Sequence, residues 1–283
     1  MGIECIQNED QTVTVRVTND HQRDVVTKSP KLPFFEKRDG YFLHSAFVRI
    51  GGNREFGSDG NPLVYAIKGL KDFQIDAGSC QLLHEELEAN FKTIADRVRT
   101  FGPISYIFYT PSASQLSRFL ACRFHRIMGV RECLIFDVFE KRSYQDVLAD
   151  CMRRKTAAKM GSDDRRIISD VINEINRFGK FALKEPFRMK DLPMSLRQYV
   201  NPFKLRNTRA IPEGIAGARV VLIEDTIGSG QSSACLAEML RNAGAREVIV
   251  VSAFSPVQPI SFVKRAEQVK VEIVRKRRRV RQS

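Results

Sequence analysis

The sequence predicts an α/β fold: a doubly wound, mainly parallel sheet with a β-rich N-terminal appendage and a helical insertion. Three observations lead there. Two stretches, Ser105–Met128 and Val220–Asn242, each read as a short apolar run, a loop of small residues and then a helical pattern. Each is followed by another apolar run, at 132–138 and 248–252, of the kind that fills a strand buried on both faces. Between the two units, residues 143–180 carry two helical patterns in succession, which a plain strand–helix alternation does not need.

In chain order, Thr12–Val17 alternates polar and apolar residues as a half-buried strand does, and Phe42–Ile50, closed by Gly51 and Gly52, reads as another. Turn-rich segments surround them, notably Gly57–Pro62. Leu63–Leu70 fits either a strand or the start of a helix. Residues 1–75 are therefore expected as a β-rich cap or appendage, and 76–274 as the α/β domain. Within Cys80–Arg99, the residues Leu83, Leu87, Phe91, Ile94 and Val98 share one helical stripe, which Gly102 and Pro103 stop. Ser105–Tyr109 reads as a buried strand, Thr110–Ser114 as its loop, and about 115–128 as a helix.

Glu132–Val138 supplies the next strand. Helices follow at Ser143–Lys159 and Arg165–Phe178. The second shows a stripe of Ile167, Ile168, Val171, Ile172 and Ile175, with Asp163 or Asp164 as its cap. This pair is expected to pack against a partner or against the β-rich region. A basic stretch, 186–209, leads to the strand at Val220. Gly244 and Ala245 end the next helix, Val248–Ser252 is a strand, and Val269–Val274 is a last one before a basic tail at 275–283.

The 283 residues suffice for one large or two modest domains. Lys and Arg number 46 against 33 Asp and Glu, a formal charge of +13 that favours polyanionic partners. Part of the excess is the tail's Arg275, Lys276, Arg277, Arg278, Arg279 and Arg281. Such side chains release counterions from a phosphate backbone, so DNA, RNA or a nucleoprotein is a candidate partner. No apolar run reaches the length of a membrane span, and Met1–Cys5 lacks the start of a signal peptide, so a cytoplasmic protein without membrane contact is expected. The cysteines Cys5, Cys80, Cys122, Cys133, Cys151 and Cys235 form no Cys-x-x-Cys pair, and several lie in apolar runs. They read as reduced, packed thiols. The histidines His21, His44, His84 and His125 do not cluster, which speaks against zinc. Oligomeric state is open.

The chemistry concentrates after Ile223. Glu224 and Asp225 end the apolar run; Thr226, Ile227, Gly228, Ser229, Gly230, Gln231 and Ser232 then lead into the helix. A strand, a glycine-rich turn and a helix N-terminus in that order converge backbone N–H groups on an anion. Two glycines allow close approach, and the hydroxyls add donors. Two carboxylates do not suit a phosphate, but they suit sugar hydroxyls or hydrated magnesium. No Gly-Lys-Ser/Thr follows a loop of Walker length. Together these features describe a site for a ribose 5-phosphate.

This arrangement resembles the ribose-phosphate signature of type I phosphoribosyltransferases: an apolar strand, an acidic pair, then a short Thr/Ser-Gly-x-Thr/Ser loop. The likeness covers roughly residues 104–275. It implies that the loop after the first strand, here Pro111, Ser112, Ala113 and Ser114, meets pyrophosphate through backbone amides, although family members commonly carry glycine there. It also implies a mobile loop closing over the site. Ser195–Lys204 is similar to a Gln/Arg-x-x-Asn-x-x-Phe pattern of competence-associated ComF-like members, and Lys204 and Arg206 would be the closing cations.

The resemblance implies an enzyme that takes phosphoribosyl pyrophosphate or a related ribose phosphate, with magnesium, and displaces pyrophosphate at the anomeric carbon. Glu224 and Asp225 would orient the ribose hydroxyls directly or through magnesium. Thr226 and 228–232 would bind the 5-phosphate. The alternative is a ligand-sensing or effector subunit on the same fold, held by nucleic acid or a nucleoprotein, as phosphoribosyltransferase-like effectors accompany reverse transcriptases in retron defence systems.

Overall fold

The computed structural model describes residues 2–18, 25–26, 33–50, 62–70, 72–112, 114–129, 134–179, 183–207 and 211–258. Its strands are β1 (Gly2–Gln7), β2 (Val13–Thr18), β3 (Val25–Val26), β4 (Phe34–Arg38), β5 (Tyr41–Ile50), β6 (Phe73–Ile75), β7 (Tyr106–Tyr109), β8 (Leu134–Phe136), β9 (Phe139–Lys141), β10 (Phe203–Leu205), β11 (Arg219–Thr226) and β12 (Glu247–Gln258). Its α-helices are α1 (Pro62–Lys68), α2 (Ala77–Thr100), α3 (Leu116–Met128), α4 (Tyr144–Ala157), α5 (Asp163–Gly179) and α6 (Gln231–Asn242). The fold is mixed α/β with a mostly parallel central sheet.

The apolar run at Val220 becomes the middle of that sheet. Val220, Val221, Leu222 and Ile223 are fully buried, as a strand covered on both faces requires. β11 pairs in parallel with β7, Val220 opposite Tyr106 and Ile223 opposite Tyr109, and in parallel with β12 on its other side. The order across the sheet is β3-β5-β12-β11-β7-β8, with β4 also paired to β5. Strand alternation sorts the side chains. Val221 and Ile223 join α2 and α3 in one core cluster, while Val220 and Leu222 join α6 in the other. Each such side chain contributes about 1.5–3 kcal/mol by leaving water. The chain leaves β7 toward β8 and leaves β11 toward β12, in opposite directions across the sheet. A crevice therefore opens between the C-terminal ends of β7 and β11, where open α/β sheets bind ligands.

The N-terminal region is more than an appendage. β1, β2 and β6 do form a separate three-stranded sheet, but β5 runs parallel to β12 within the central sheet, from Phe42 opposite Ile249 to Ile50 opposite Gln258. The ambiguous stretch at 63–70 is helical: Leu63, Val64, Tyr65 and Ala66 are buried in α1. Gly69 (φ +61) stops that helix, and the Leu70 N–H reaches back to the Tyr65 carbonyl. The stripe of α2 is buried at all five expected positions, and Asp76 caps the helix by accepting from the Ser79 N–H at 2.8 Å.

The insertion packs elsewhere than expected. Tyr144, Val147 and Cys151 of α4 and Ile168, Val171, Ile172 and Ile175 of α5 enclose Phe187, Leu192 and Val200, so the helical pair grips the basic stretch that follows it. Ser162 caps α5, its hydroxyl accepting from the Arg165 N–H; Asp163 and Asp164 sit in the first turn instead, where the helix dipole favours them. Much of the stretch expected as a mobile loop is thereby packed. It forms 3-10 turns at Met189–Asp191 and Met194–Tyr199, and then β10, which pairs with β9.

Cys151 and Cys235 are buried as expected, Cys80 and Cys122 are exposed on their helices, and Cys133 lies outside the described residues. The turn at 57–61 and the expected strand at 269–274 also lie outside them. No helix among the described residues is long and apolar enough to cross a membrane.

Arg219 closes the end of the sheet remote from the crevice. Its side chain is 1 % exposed, pairs with Glu247 at 2.6 Å, and donates to the carbonyls of Val98, in the last turn of α2, and of Gly102 just past it. Arg219→Ala strands Glu247 and two carbonyls. It is expected to lower the unfolding free energy by about 3–5 kcal/mol in urea denaturation, with partial recovery in Arg219→Lys.

Candidate functional site

The crevice is built by several pieces of chain far apart in sequence. β11 ends with the two acids, and because neighbouring strand residues point to opposite faces the acids diverge. Glu224 faces α6 and accepts a hydrogen bond from the buried Ser233 hydroxyl. Asp225, buried, turns to the other loop: it accepts from the Ser112 hydroxyl at 3.2 Å and from the Lys68 ammonium at 2.8 Å. Ser112 also bonds Ser114 at 3.0 Å. One carboxylate thus ties the loop after β7, the end of β11 and the end of α1 together. Pro111 is half-buried in the same loop, and Ala113 lies outside the described residues.

The second loop makes an open cleft of about 130 Å³ lined by Glu224, Thr226, Gly228, Ser229, Gly230, Gln231 and Ser232, with Met189 and Arg197 across it. That volume leaves room for a phosphate group. Gly230 caps α6 in the left-handed region at φ +84, and a Cβ there would lie 2.0 Å from the Arg38 guanidinium. Arg38, at the end of β4, donates to the Ser229 carbonyl at 3.2 Å, and the Tyr41 hydroxyl approaches the Gly230 carbonyl at 3.4 Å. Those contacts occupy the two carbonyls. The N–H groups of Gly228, Ser229 and Gly230 find no acceptor among the described residues, and the first turn of α6 leaves further N–H groups free by geometry. The Thr226 hydroxyl, which borders the cleft, is buried without a partner among the described residues, a state that costs about 1–3 kcal/mol until something bonds it. The arrangement suits an anion carrying several acceptor oxygens.

Three expected residues make other contacts instead. Ile227 is fully buried in the core, its N–H donating to Phe254 and its carbonyl taken by the buried Arg49. Lys204 pairs with Glu140 and Asp146, at 3.3 and 3.5 Å, and Arg206 with Asp137 at 3.0 Å. Neither borders the cleft; the basic stretch brings Arg197 there, held by the Leu192 carbonyl at 3.0 Å. The basic tail, Arg275 to Arg281, lies outside the described residues.

The acids are balanced by cations that sequence reasoning did not assign. Lys68 and Lys141 both act on Glu224, and both acids act on Lys141. Burial pushes the Glu224 carboxyl up to about 7; the Ser233 hydrogen bond opposes this, the Asp225 charge adds to it, and the two lysines oppose it again. Loss of hydration lowers the Lys141 pKa, with Lys68 and Arg188 adding repulsion against the pull of both acids.

Magnesium was expected on Glu224 and Asp225, directly or indirectly. Both oxygens of Asp225 and one of Glu224 already accept hydrogen bonds, one of them from the Lys68 ammonium, with which a directly bound ion would compete. The donor set does not fit direct ligation of a divalent cation.

No protein-family model and no curated protein matches the chain. Among solved structures it is similar to a purine phosphoribosyltransferase from Pyrococcus horikoshii Ot3, at 12% sequence identity and a TM-score of 0.31, covering 60% of this chain and 85% of that one. A likeness at that TM-score carries no argument about the site, whose reading rests on its own geometry.

Two outcomes test this geometry. Gly230→Ala is strained by its φ and meets Arg38, so it is expected to cost about 1–3 kcal/mol in denaturant unfolding. Gly228→Ala, with open space around its Cβ, is expected to stay within about 0.5 kcal/mol of the parent. Glu224 binds its proton more tightly folded than unfolded, so its contribution to stability is present below pH 4.5 and is lost as pH rises to about 7. Glu224→Gln should flatten that part of the stability–pH curve relative to the parent.

Proposed function

We propose that this chain binds a ribose phosphate in the crevice between β7 and β11, with phosphoribosyl pyrophosphate as the ligand that uses both loops. The observation that supports this most is the Ser112–Asp225 hydrogen bond, which sets the loop after β7 beside the anion cradle after β11. The 5-phosphate would lie on the amides of Gly228, Ser229 and Gly230, with the hydroxyls of Thr226, Ser229 and Ser232 around it and Arg197 opposite. Glu224 would accept from a ribose hydroxyl. The loop 111–114 would face the pyrophosphate, with Lys68 and Lys141 between the two ends of the ligand.

The reaction this supports is displacement of pyrophosphate from the anomeric carbon by a nucleophilic acceptor: the bond from that carbon to the pyrophosphate oxygen breaks, its electron pair leaves with pyrophosphate, and a bond to the acceptor forms. Positive charge grows on the ribose and is met by Glu224 and Asp225. Negative charge grows on the departing pyrophosphate and is met by the lysines and the first loop. These charges are aimed at charge that develops, which lowers the barrier more than it tightens ground-state binding, and Glu224 joins them as pH rises through about 7.

Isothermal titration of phosphoribosyl pyrophosphate and of ribose 5-phosphate tests the binding. Arg197→Ala should weaken both by about tenfold, the scale of one charge-assisted contact, whereas Lys204→Ala should change neither by more than about twofold. Absence of heat with the parent protein at millimolar ligand would remove the reading.

A further inference from the structure

Lys68 is the last residue of α1, far in sequence from the site, and its place is fixed on both sides. Residues 63–66 anchor the helix in the core, and Gly69 ends it immediately after the lysine. The ammonium that results stands 2.8 Å from Asp225 Oδ1, with the lysine side chain 18% and the aspartate 8% exposed. An ion pair this enclosed is not a solvated surface bridge; removing either partner strands a buried charge. Lys141 adds a second ammonium acting on both acids, so two cations already face two carboxylates before any ligand arrives.

A divalent cation entering here would meet two ammonium groups and would have to displace one of them from Asp225. The surplus of basic residues, +13 over the chain, adds to the opposition. Lysine, by contrast, is a compact charge with three donors. One is used on Asp225, and the others find no acceptor among the described residues. It can hold the acid and an oxygen of the ligand at once, which is the bridging a metal ion would otherwise do.

We infer that Lys68 takes the place of a divalent cation in this crevice, so that the site takes up a ribose phosphate without magnesium. The inference rests on the ribose-phosphate reading for its ligand, but its statement about the metal is tested separately. Asp225 is kept charged and oriented by a group that arrives with the fold. Ligand binding then depends on the N-terminal region and not on metal supply.

The experiment has two arms on the full chain, at matched ionic strength. In the first, ribose 5-phosphate is titrated in EDTA and in millimolar magnesium. Equal affinity within about twofold is expected for the parent, and a gain of about tenfold or more with magnesium would overturn the inference. In the second, magnesium alone is added during thermal unfolding. The parent midpoint should not move, while Lys68→Met, which leaves Asp225 without its ammonium partner, should be raised by magnesium. Should that variant fail to fold, Lys68→Gln keeps a donor on Asp225 without the charge and answers the same question. A rise in the parent midpoint, or no rise in either variant, would overturn the inference. If ribose 5-phosphate binds in neither buffer, the ligand reading falls, and the second arm still decides whether Lys68 excludes the metal.

Discussion

Burying carboxylates at the end of a strand covered on both faces is the constraint that shapes this molecule. The apolar run Val220–Ile223 can occupy the centre of the sheet because nothing polar interrupts it, yet Glu224 and Asp225 follow at once, before the chain reaches water. Charge in that position is tolerable only when matched. The match comes from the whole chain: a hydroxyl from α6, a hydroxyl from the loop after β7, an ammonium from α1 and another from β9. The segments that answer the acids are also the segments that form the crevice. Neutralising the strand end and assembling the site are one event.

The sequence made the centre of the molecule legible and its periphery much less so. β7, β11 and β12, with the helices α3 and α6, follow from local signals: unbroken apolar runs, small-residue loops and helical stripes within a few residues of each other. The glycine–serine turn that opens α6 was legible for the same reason, since Gly228 to Ser232 are contiguous. Contributions that depend on tertiary pairing left no local trace. The alternation at 42–50 announced a half-buried strand but not that it would join β12 in parallel. Lys68 lay in the stretch 63–70, which fitted either a strand or the start of a helix; its partner lies 157 positions away.

The basic stretch shows why composition misleads. Lys204 and Arg206 were singled out because they are cations near the right point in the chain. β10 pairs with β9 in a register that sets Lys204 opposite Glu140, and both cations are taken up by acids on the insertion side. Arg197 reaches the cleft because the apolar residues around it, Leu192 and Val200, are gripped by α4 and α5. Position was decided by hydrophobic packing, and charge followed. Ile227 teaches the same lesson in reverse: a residue inside the signature loop whose side chain belongs to the core and steadies the loop from beneath.

Because β5 lies against β12, the α/β sheet is not a module that could be lifted out at residue 75. A chain cut there would bare the long edge of β12, Glu247–Gln258, as an unpaired row of amides and carbonyls open to self-association. It would also lose Arg38 and Tyr41 from beneath the glycine turn. Recombination that swaps the first quarter of the chain would therefore alter the glycine turn as well as what lies beside it, and the two parts must diverge in step.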